Sequence, residues 1–276
     1  QLMQEGLQMF DALPENLLQL QAERSEAYWL YGSVLAQRKA WEPAETNFAR
    51  SIQALEVMVQ AEPGNIQHRA TLRLVLMRIA ETYDLAQKWE SAIRYYQSSV
   101  KVAAEICQQA PDGEDHVVAH SGALNRLSLV YSSAKQKEAA LETLNASDEV
   151  LDRFLQGHTD ALEALVLRSG NRINRHDLES PDRPIVEQVD ALSKAIEALQ
   201  NVLQRSPNHR TATAFLNNGL LRRANVYDTS QQFVAAAADW QALAQLPNSD
   251  DPVTYRSKSA QSLVRGGQVD EALAVM

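Results

Sequence analysis

The 276-residue sequence has few of the residues that break helices or cross-link small folds. It contains one cysteine, 10 glycines and 9 prolines, and aromatic residues make up 6% of the chain. The single cysteine, Cys107, excludes an internal disulfide framework and fits a reducing compartment, so we expect the cytoplasm. No apolar run approaches the roughly 20 residues needed to span a bilayer. We therefore expect no membrane contact by this segment.

The residues that are present favour a helical protein with a continuous core. Apolar residues make up 45% of the chain, and the abundance of Ala, Leu, Gln and Glu favours helix over sheet. The net charge of −9 argues against a general nucleic-acid binder and against a polybasic membrane-surface protein. Because the chain begins at Gln1 and not at Met, we expect it to be a piece of a longer protein.

A shift of the sequence by 48 residues brings similar residues into register. Small residues, aromatic or apolar residues and alanines recur in the same order in three successive segments. The aligned sets are Gly32, Ala80 and Ser128; Leu35, Tyr83 and Tyr131; Trp41, Trp89 and Lys137; Ala44, Ala92 and Ala140; Phe48, Tyr96 and Leu144; and Ser51, Ser99 and Ser147. A looser form continues downstream, with Gly170, Ala224 and Ala260 at the small position. The chain therefore contains an internal repeat.

The order of residues within one unit resembles the tetratricopeptide repeat, a pair of antiparallel helices called A and B. The resemblance implies that the small residue lets helix A pack closely on helix B, and that the aromatic residues fill holes between units. The usual unit has 34 residues. The 14 additional residues here lengthen each helix by about seven residues, or roughly two turns, which keeps the buried face in register.

The fold class expected is therefore all-α, a right-handed superhelical solenoid of helix hairpins that forms a single domain over residues 1–276. We place complete repeats at 15–63, 64–111, 112–157, 158–207 and 208–249, with the end of a preceding repeat at 1–14 and a truncated repeat at 250–276. The predicted A helices lie near 17–37, 65–86, 113–134, 158–176, 208–228 and 252–265. The predicted B helices lie near 42–60, 90–109, 138–155, 186–204, 232–245 and 268–276. The two prolines in 180–184 predict a non-helical insertion.

Motifs for catalysis or metal binding are weak. The chain has no glycine-rich phosphate loop and no nucleophile elbow. His116 and His120 lie four residues apart and share a helix face, but the pattern lacks the glutamate of zinc proteases, so we favour two ordinary polar residues. We favour a structural thiol for Cys107 over a nucleophile, because no activating His or Arg is adjacent. We predict no catalytic residue, no metal and no cofactor.

The more informative pattern is two residues before each small position, a place that faces the concave groove in the tetratricopeptide family. Five successive units carry a cation there, after a leucine in the first unit: Leu30, Arg78, Arg126, Arg168, Arg222 and Lys258. Asparagine is a poor helix former, yet Asn125, Asn171 and Asn225 fall inside predicted A helices, which indicates a gain from outside local propensity. Arginine can clamp a carboxylate with two parallel bonds.

Alternatives remain for each candidate. The cations are either ligand contacts, solvated surface, or bridges to an Asp or Glu on a neighbouring helix, and Asp84 and Asp228 are internal competitors. Trp29 either lines the groove or packs on the preceding B helix. Trp41, Trp89 and Trp240 fall on packing positions, and for them we favour the core.

The groove pattern is similar to the carboxylate clamp of chaperone-binding tetratricopeptide proteins and to bacterial peptide-pheromone receptors, although neither motif is complete. The long unit resembles arrays that follow Ser/Thr kinase domains in large bacterial signalling proteins. We therefore predict a non-catalytic protein-interaction scaffold that binds a protein or peptide partner, with an acidic partner as one candidate, and that serves as a regulatory region of a larger bacterial signalling protein. The alternative is a ligand-sensing receptor for a short peptide or small anion.

Overall fold

A computed structural model of the chain describes residues 6, 10, 12, 17–246 and 249–275. The described residues form two short 3-10 helices, Leu18–Leu20 and Ser180–Asp182, and a succession of α-helices. The α-helices are α1 (Gln21–Gln37), α2 (Trp41–Ala61), α3 (Ile66–Leu85), α4 (Trp89–Gln109), α5 (Glu114–Ser133), α6 (Lys137–Leu155), α7 (Leu162–Glu179), α8 (Ile185–Arg205), α9 (Arg210–Thr229), α10 (Phe233–Gln245), α11 (Pro252–Arg265) and α12 (Val269–Val275).

Short polar segments define the helix ends. The Asn65 side chain accepts a hydrogen bond from the Gln67 amide at the start of α3, and the Asp251 side chain accepts one from the Thr254 amide at the start of α11. Such N-caps satisfy backbone donors that have no partner inside the helix. Five of the six described turns from an A helix to the next B helix place one residue at positive φ, and these residues are Lys39, Gln87, Lys135, Gln231 and Gly267. The exception is the longer α7–α8 connection, which contains the 3-10 turn. The left-handed residue allows the chain to reverse within three residues.

The helix positions agree with those predicted from the 48-residue period to within four residues. The one correction concerns 180–184. Helix α7 continues to Glu179, and Ser180–Asp182 then forms a 3-10 turn. The expectation of no helix there was wrong, because Pro181 lies at the start of the turn, where its missing N–H is not needed. The B helix predicted within residues 1–14 lies almost entirely outside the described residues.

The chain divides into two compact units, Gln1–Ala146 and Ser147–Met276, which we call unit 1 and unit 2. In unit 1, α1 packs antiparallel on α2 and α3 on α4, α4 packs on α5, and the A helices α1 and α3 also touch. In unit 2, the pairs α7–α8, α9–α10 and α11–α12 form hairpins, and the A helices α7 and α9 touch. Contact between successive A helices is the arrangement that places A-helix side chains along one surface.

The core of unit 1 follows the repeat positions. Ala44, Phe48, Ala80, Ala92 and Tyr96 are all at most 1% exposed. Polar repeat positions are buried as well: the hydroxyl of Ser51 donates to the Ser25 carbonyl at 2.8 Å, and the hydroxyl of Ser99 donates to the Arg73 carbonyl at 3.2 Å. The recurring serine therefore connects a B helix to an A helix through a hydrogen bond.

The core of unit 2 has the same construction. Ile173, Leu192, Leu199, Leu243 and Trp240 are at most 1% exposed and belong to one apolar cluster. The expected fold class, an all-α helical-repeat solenoid of helix hairpins, is confirmed. The repeat boundaries and the single-domain interpretation stay predictions, and each unit is described below by itself.

Candidate functional site

In unit 1, Arg78 lies over the ring of Trp29. The guanidinium carbon is 4.9 Å from the ring centroid, a cation–π distance. Arg78 is exposed, while Trp29 is half-buried against the core and its indole nitrogen is buried with no hydrogen-bond partner among the described residues. Trp29 therefore packs on the core of unit 1 and also supports a surface cation. The preceding B helix, the other packing partner considered for it, lies almost entirely outside the described residues.

Arg126 occupies the same register as Arg78, one repeat later, and is also exposed. It forms no ion pair with any carboxylate in the described part of the chain. The charge of Arg126 nonetheless acts on Asp84. Burial raises the pKa of the Asp84 carboxyl, and the nearby positive charge of Arg126 offsets only part of that rise. Arg126 is thus available to a ligand, with Asp84 as a weak internal competitor.

Exposed apolar side chains occupy the same helix faces as these two cations. Leu30, in the register of Arg78 and Arg126, is 42% exposed, and Leu74 and Leu129 are 39% and 40% exposed. Leu74 lies one turn before Arg78, and Leu129 lies three residues after Arg126, so each leucine shares the helix face of its arginine. We call this surface the A-face of unit 1, defined by Trp29, Leu30, Leu74, Arg78, Arg126 and Leu129.

Two of the predicted asparagines are buried. Asn125 is 7% exposed and has polar interactions within the fold. Asn171 is fully buried, and its amide donates to the Ser147 hydroxyl at 2.8 Å and to the Asp148 carboxylate at 2.9 Å. The poor helix propensity of Asn171 is therefore offset by contacts that connect α6 and α7. As predicted groove contacts these two asparagines need correction, because a ligand in the groove cannot reach a buried amide.

In unit 2 the two equivalent arginines are already engaged. Arg168 pairs with Asp152 at 3.2 Å. The guanidinium of Arg222 binds both carboxylate oxygens of Asp177, with Nε to Oδ1 at 2.7 Å. These are the bridges to neighbouring helices that the sequence left open as an alternative. Neither arginine offers an unpaired charge to a ligand.

Lys258 and Asn225 complete the unit 2 candidates. The Lys258 ammonium lies 4.3 Å from the ring centroid of Trp240, which is 1% exposed. Asn225 is exposed on α9. Asp228, the other predicted competitor, accepts hydrogen bonds from the Trp240 indole at 2.9 Å and the Ser262 hydroxyl at 2.8 Å. Asp228 therefore has a structural role between α9, α10 and α11.

Sequence reasoning missed a polar cluster around Glu45. Its carboxylate accepts hydrogen bonds from the phenols of Tyr83 and Tyr95, the latter at 2.7 Å, and from Arg94 at 2.6 Å. The two phenol rings stack with centroids 5.6 Å apart. Burial, followed by the bonds to Glu45, raises the pKa of both tyrosines. The only sequence signal was the recurrence that includes Tyr83, and it identifies neither Tyr95 nor the acceptor.

Neither Cys107 nor the histidine pair forms a reactive group. Burial raises the pKa of the Cys107 thiol to about 11, and the thiol donates to the His116 carbonyl at 3.1 Å. Burial lowers the pKa of His120. Within the described residues no three His, Cys, Asp or Glu side chains come together as a metal site. Searching the same residues, we find no helix with the length and apolar character of a membrane span.

Comparison with known proteins supports a tetratricopeptide-like array. Residues 74–103, in α3 and α4, match the family model described as "Tetratricopeptide repeat". The crystal structure of BtubC (BKLC) from P. vanneervenii is similar with a TM-score of 0.61 and 14% identity, covering 84% of this chain and 86% of that one. Nro1, described as a hypoxic regulator of sterol synthesis and a nuclear import adaptor, aligns with a TM-score of 0.39 and 11% identity over 94% of both chains. A sequence search of curated proteins finds no match.

The family match and the likeness to BtubC together show a tetratricopeptide-like helical-repeat fold. At 14% identity the BtubC comparison concerns the fold alone. A fold of this kind is consistent with a protein-interaction scaffold. What distinguishes this chain is therefore the chemistry of its own A-helix surfaces.

Proposed function

We propose that the chain is a protein-interaction module whose A-face of unit 1 binds an acidic and partly apolar segment of a partner protein. The observation that carries this proposal is the contrast between equivalent arginines. Arg78 and Arg126 are exposed and make no ion pair with described carboxylates, whereas Arg168 and Arg222 are neutralised by aspartates. An array that needed its cations only for internal bridges would be expected to pair them in both units.

The surroundings of these arginines suit a peptide more than a diffuse negative charge. Leu30, Leu74 and Leu129 supply apolar contact beside the two guanidinium groups. Stacking on Trp29 holds Arg78 in place, so less side-chain entropy is lost when it binds a carboxylate. Arginine can bind a carboxylate through two parallel hydrogen bonds. An acidic residue flanked by apolar residues matches this surface in both charge and polarity.

A finer role is part of the same proposal. The module serves as a regulatory or recruitment region of a larger bacterial signalling protein in the cytoplasm, in which a kinase domain supplies the catalysis. Support comes from the likeness of the 48-residue unit to arrays that follow kinase domains. A ligand-sensing receptor for a short peptide or small anion is the alternative, and it would use the same two arginines.

The test is capture of partners from a lysate of the source organism, followed by affinity measurement with the captured protein. The double variant Arg78→Gln and Arg126→Gln should weaken binding at least about fivefold, since each charge-assisted bond contributes roughly 1–3 kcal/mol. The matched control removes two exposed cations from B helices, Lys101→Gln and Arg153→Gln, and should change affinity less than twofold. Equal losses in both double variants would reject the A-face of unit 1 as the binding surface.

A further inference from the structure

A cavity of about 480 Å³ opens between α1 and α3, further along the seam that holds Trp29 and Arg78. Its volume lies in the range of sites that hold a small organic group. The apolar part of the lining includes Ala36, the half-buried ring of Trp41, and Leu85. The Leu85 side chain is 88% exposed, so covering it with a ligand would gain the free energy of removing apolar surface from water.

Two lysines stand at this cavity. Lys39 and Lys88 both line it, and neither pairs with a carboxylate among the described residues. The fold sets the backbone of Lys39 and the ammonium of Lys88. Lys39 is the left-handed residue of the α1–α2 turn, with φ of 61°, and the Lys88 ammonium lies 4.6 Å from the Trp41 ring centroid. Two cations beside an apolar wall, in a chain of net charge −9, favour an anionic group on an apolar body.

The hydroxyl groups in the lining reinforce this selection. Ser33 donates to the Trp29 carbonyl and Thr82 donates to the Arg78 carbonyl, both at 2.9 Å. Their protons are therefore already used within the helices. The remaining side-chain donors in the lining are the two ammonium groups, the amide of Gln37 and the indole N–H of Trp41. All four can donate to a carboxylate.

We propose that this cavity receives an apolar side chain together with an adjacent carboxylate from the partner segment that the A-face of unit 1 binds. The proposal rests on the proposed function and adds its recognition chemistry. Arg78 and Leu85 are seven residues apart on α3, about 10 Å at 1.5 Å per residue. An extended peptide covers that distance in about three residues. The partner segment thus carries one acidic residue at Arg78 and, about three residues away, an apolar residue followed by a second acidic residue.

The test uses two end-blocked peptides, acetyl-Gly-Asp-Phe-Asp-Gly-amide and its neutral Asn-for-Asp counterpart, titrated into the isotopically labelled chain and followed by NMR. The acidic peptide should shift the signals of Trp41, Leu85 and Thr82. It should bind about tenfold more tightly than the neutral one, because charge-assisted bonds to two ammonium groups are lost in the latter. Equal affinity for the two peptides, or no shift at these residues, overturns the assignment.

The variant Lys39→Gln with Lys88→Gln should weaken the acidic peptide at least about fivefold and leave the neutral peptide unaffected. Glutamine already occupies the equivalent turn positions in other repeats, at Gln87 and Gln231 with φ of 57° and 61°, and at Gln136 and Gln232, so the fold should tolerate it. The control Lys101→Gln should change affinity less than twofold. Undiminished binding of the acidic peptide by the double lysine variant contradicts the proposal.

Two further measurements are needed. One distinguishes a peptide ligand from a free organic acid, and the other distinguishes failure of the cavity proposal from failure of the A-face proposal. If 4-phenylbutyrate binds the cavity more tightly than the acidic peptide, the occupant is a free organic acid and the peptide assignment is wrong. The variant Arg78→Gln with Arg126→Gln should still bind the short peptide within twofold. If it loses the captured partner and retains the peptide, both proposals stand. If it retains the partner, the A-face proposal fails. The cavity proposal then depends on the result for the variant Lys39→Gln with Lys88→Gln.

Discussion

The guanidinium of Arg223 forms two hydrogen bonds with the carboxylate of Asp239, at 2.8 and 2.7 Å. Asp239 is 5% exposed, and Arg223 also donates to the Ser193 hydroxyl at 2.9 Å. Burial by itself would lower the pKa of Arg223, but the hydrogen bond and charge of Asp239 raise it above its ordinary value. The repeat register includes the neighbouring Arg222 among the recurring A-helix cations and does not distinguish Arg223, which connects α9 to α10 inside unit 2.

Removing the acidic partner from this pair should be costly. We expect Asp239→Asn to lower the free energy of unfolding by about 3 kcal/mol, because it leaves a guanidinium that is only 18% exposed without its counter-charge. Urea denaturation followed by circular dichroism measures this. The control is Asp190→Asn, which breaks the exposed pair with Lys194 and should cost less than about 1 kcal/mol. Similar losses in both variants would mean that the Arg223 pair is no more than a surface bridge.

Asp177 gives unit 2 a dependence on acid pH. Burial would raise the pKa of this carboxyl, but hydrogen bonds from His176 and Arg222, with their charges, lower it from 3.8 to about 2. Between pH 4 and pH 2 the unfolded chain therefore binds more protons at this group than the folded chain does, so its contribution to stability is present above pH 4 and is lost as the pH falls toward 2.

The carboxylate is half-exposed, so solvent screening should keep the contribution below about 1 kcal/mol. We expect the unfolding free energy of Asp177→Asn to fall less between pH 4 and pH 2 than that of the unaltered chain. The control Glu197→Gln removes an exposed carboxylate of α8 that has no such hydrogen bond to any described residue. If the unfolding free energy of Asp177→Asn fell as much between pH 4 and pH 2 as that of the unaltered chain, Asp177 would not be the source of the pH dependence.

The sequence predicted the helices well because each repeat buries the same small, aromatic and serine positions, and these recur at a fixed spacing. It predicted the site less well. Whether an arginine is available depends on a carboxylate far away in the chain: Asp177 lies 45 residues before Arg222, and Asp152 lies 16 residues before Arg168. No fixed period relates those acids to the repeat. The cavity beside Leu85 was missed for a similar reason, since its lysines lie in turns that the repeat pattern passes over.

Gly32 and Gly122 both lie inside A helices but in opposite surroundings. A Cβ at Gly32 would lie 2.6 Å from the ring of Phe48, which is fully buried, whereas a Cβ at Gly122 would meet nothing within 4 Å. Alanine favours a helix over glycine by about 1 kcal/mol at either place. Gly122→Ala should therefore raise the unfolding free energy by up to about 1 kcal/mol.

Gly32→Ala should instead lower the unfolding free energy by about 1–3 kcal/mol, because overpacking against Phe48 outweighs the gain in propensity. Thermal or urea denaturation of the two variants side by side checks this, and their identical chemical change cancels the propensity effect. If Gly32→Ala were also stabilising, helices α1 and α2 would be free to separate at this position, and the small residue of the repeat would not set their distance.

Lys135 is an exposed residue held at a φ of 60° in the turn between α5 and α6. A left-handed backbone costs a residue with a Cβ about 1–2 kcal/mol, and glycine avoids that cost while losing about 0.5–1 kcal/mol through the greater freedom of its unfolded chain. Lys135→Gly should thus leave the unfolding free energy unchanged or raise it by up to about 1 kcal/mol.

Lys101→Gly provides the matched comparison, because Lys101 is equally exposed but lies in the interior of α4. There the same substitution should lower the unfolding free energy by about 1 kcal/mol, the difference between glycine and a good helix former. Opposite signs for the two variants in urea denaturation would assign the effect to backbone conformation and not to loss of a lysine. Equal destabilisation would mean that the Lys135 side chain makes contacts strong enough to compensate for its strained turn, and that lysine at such a turn is retained for those contacts.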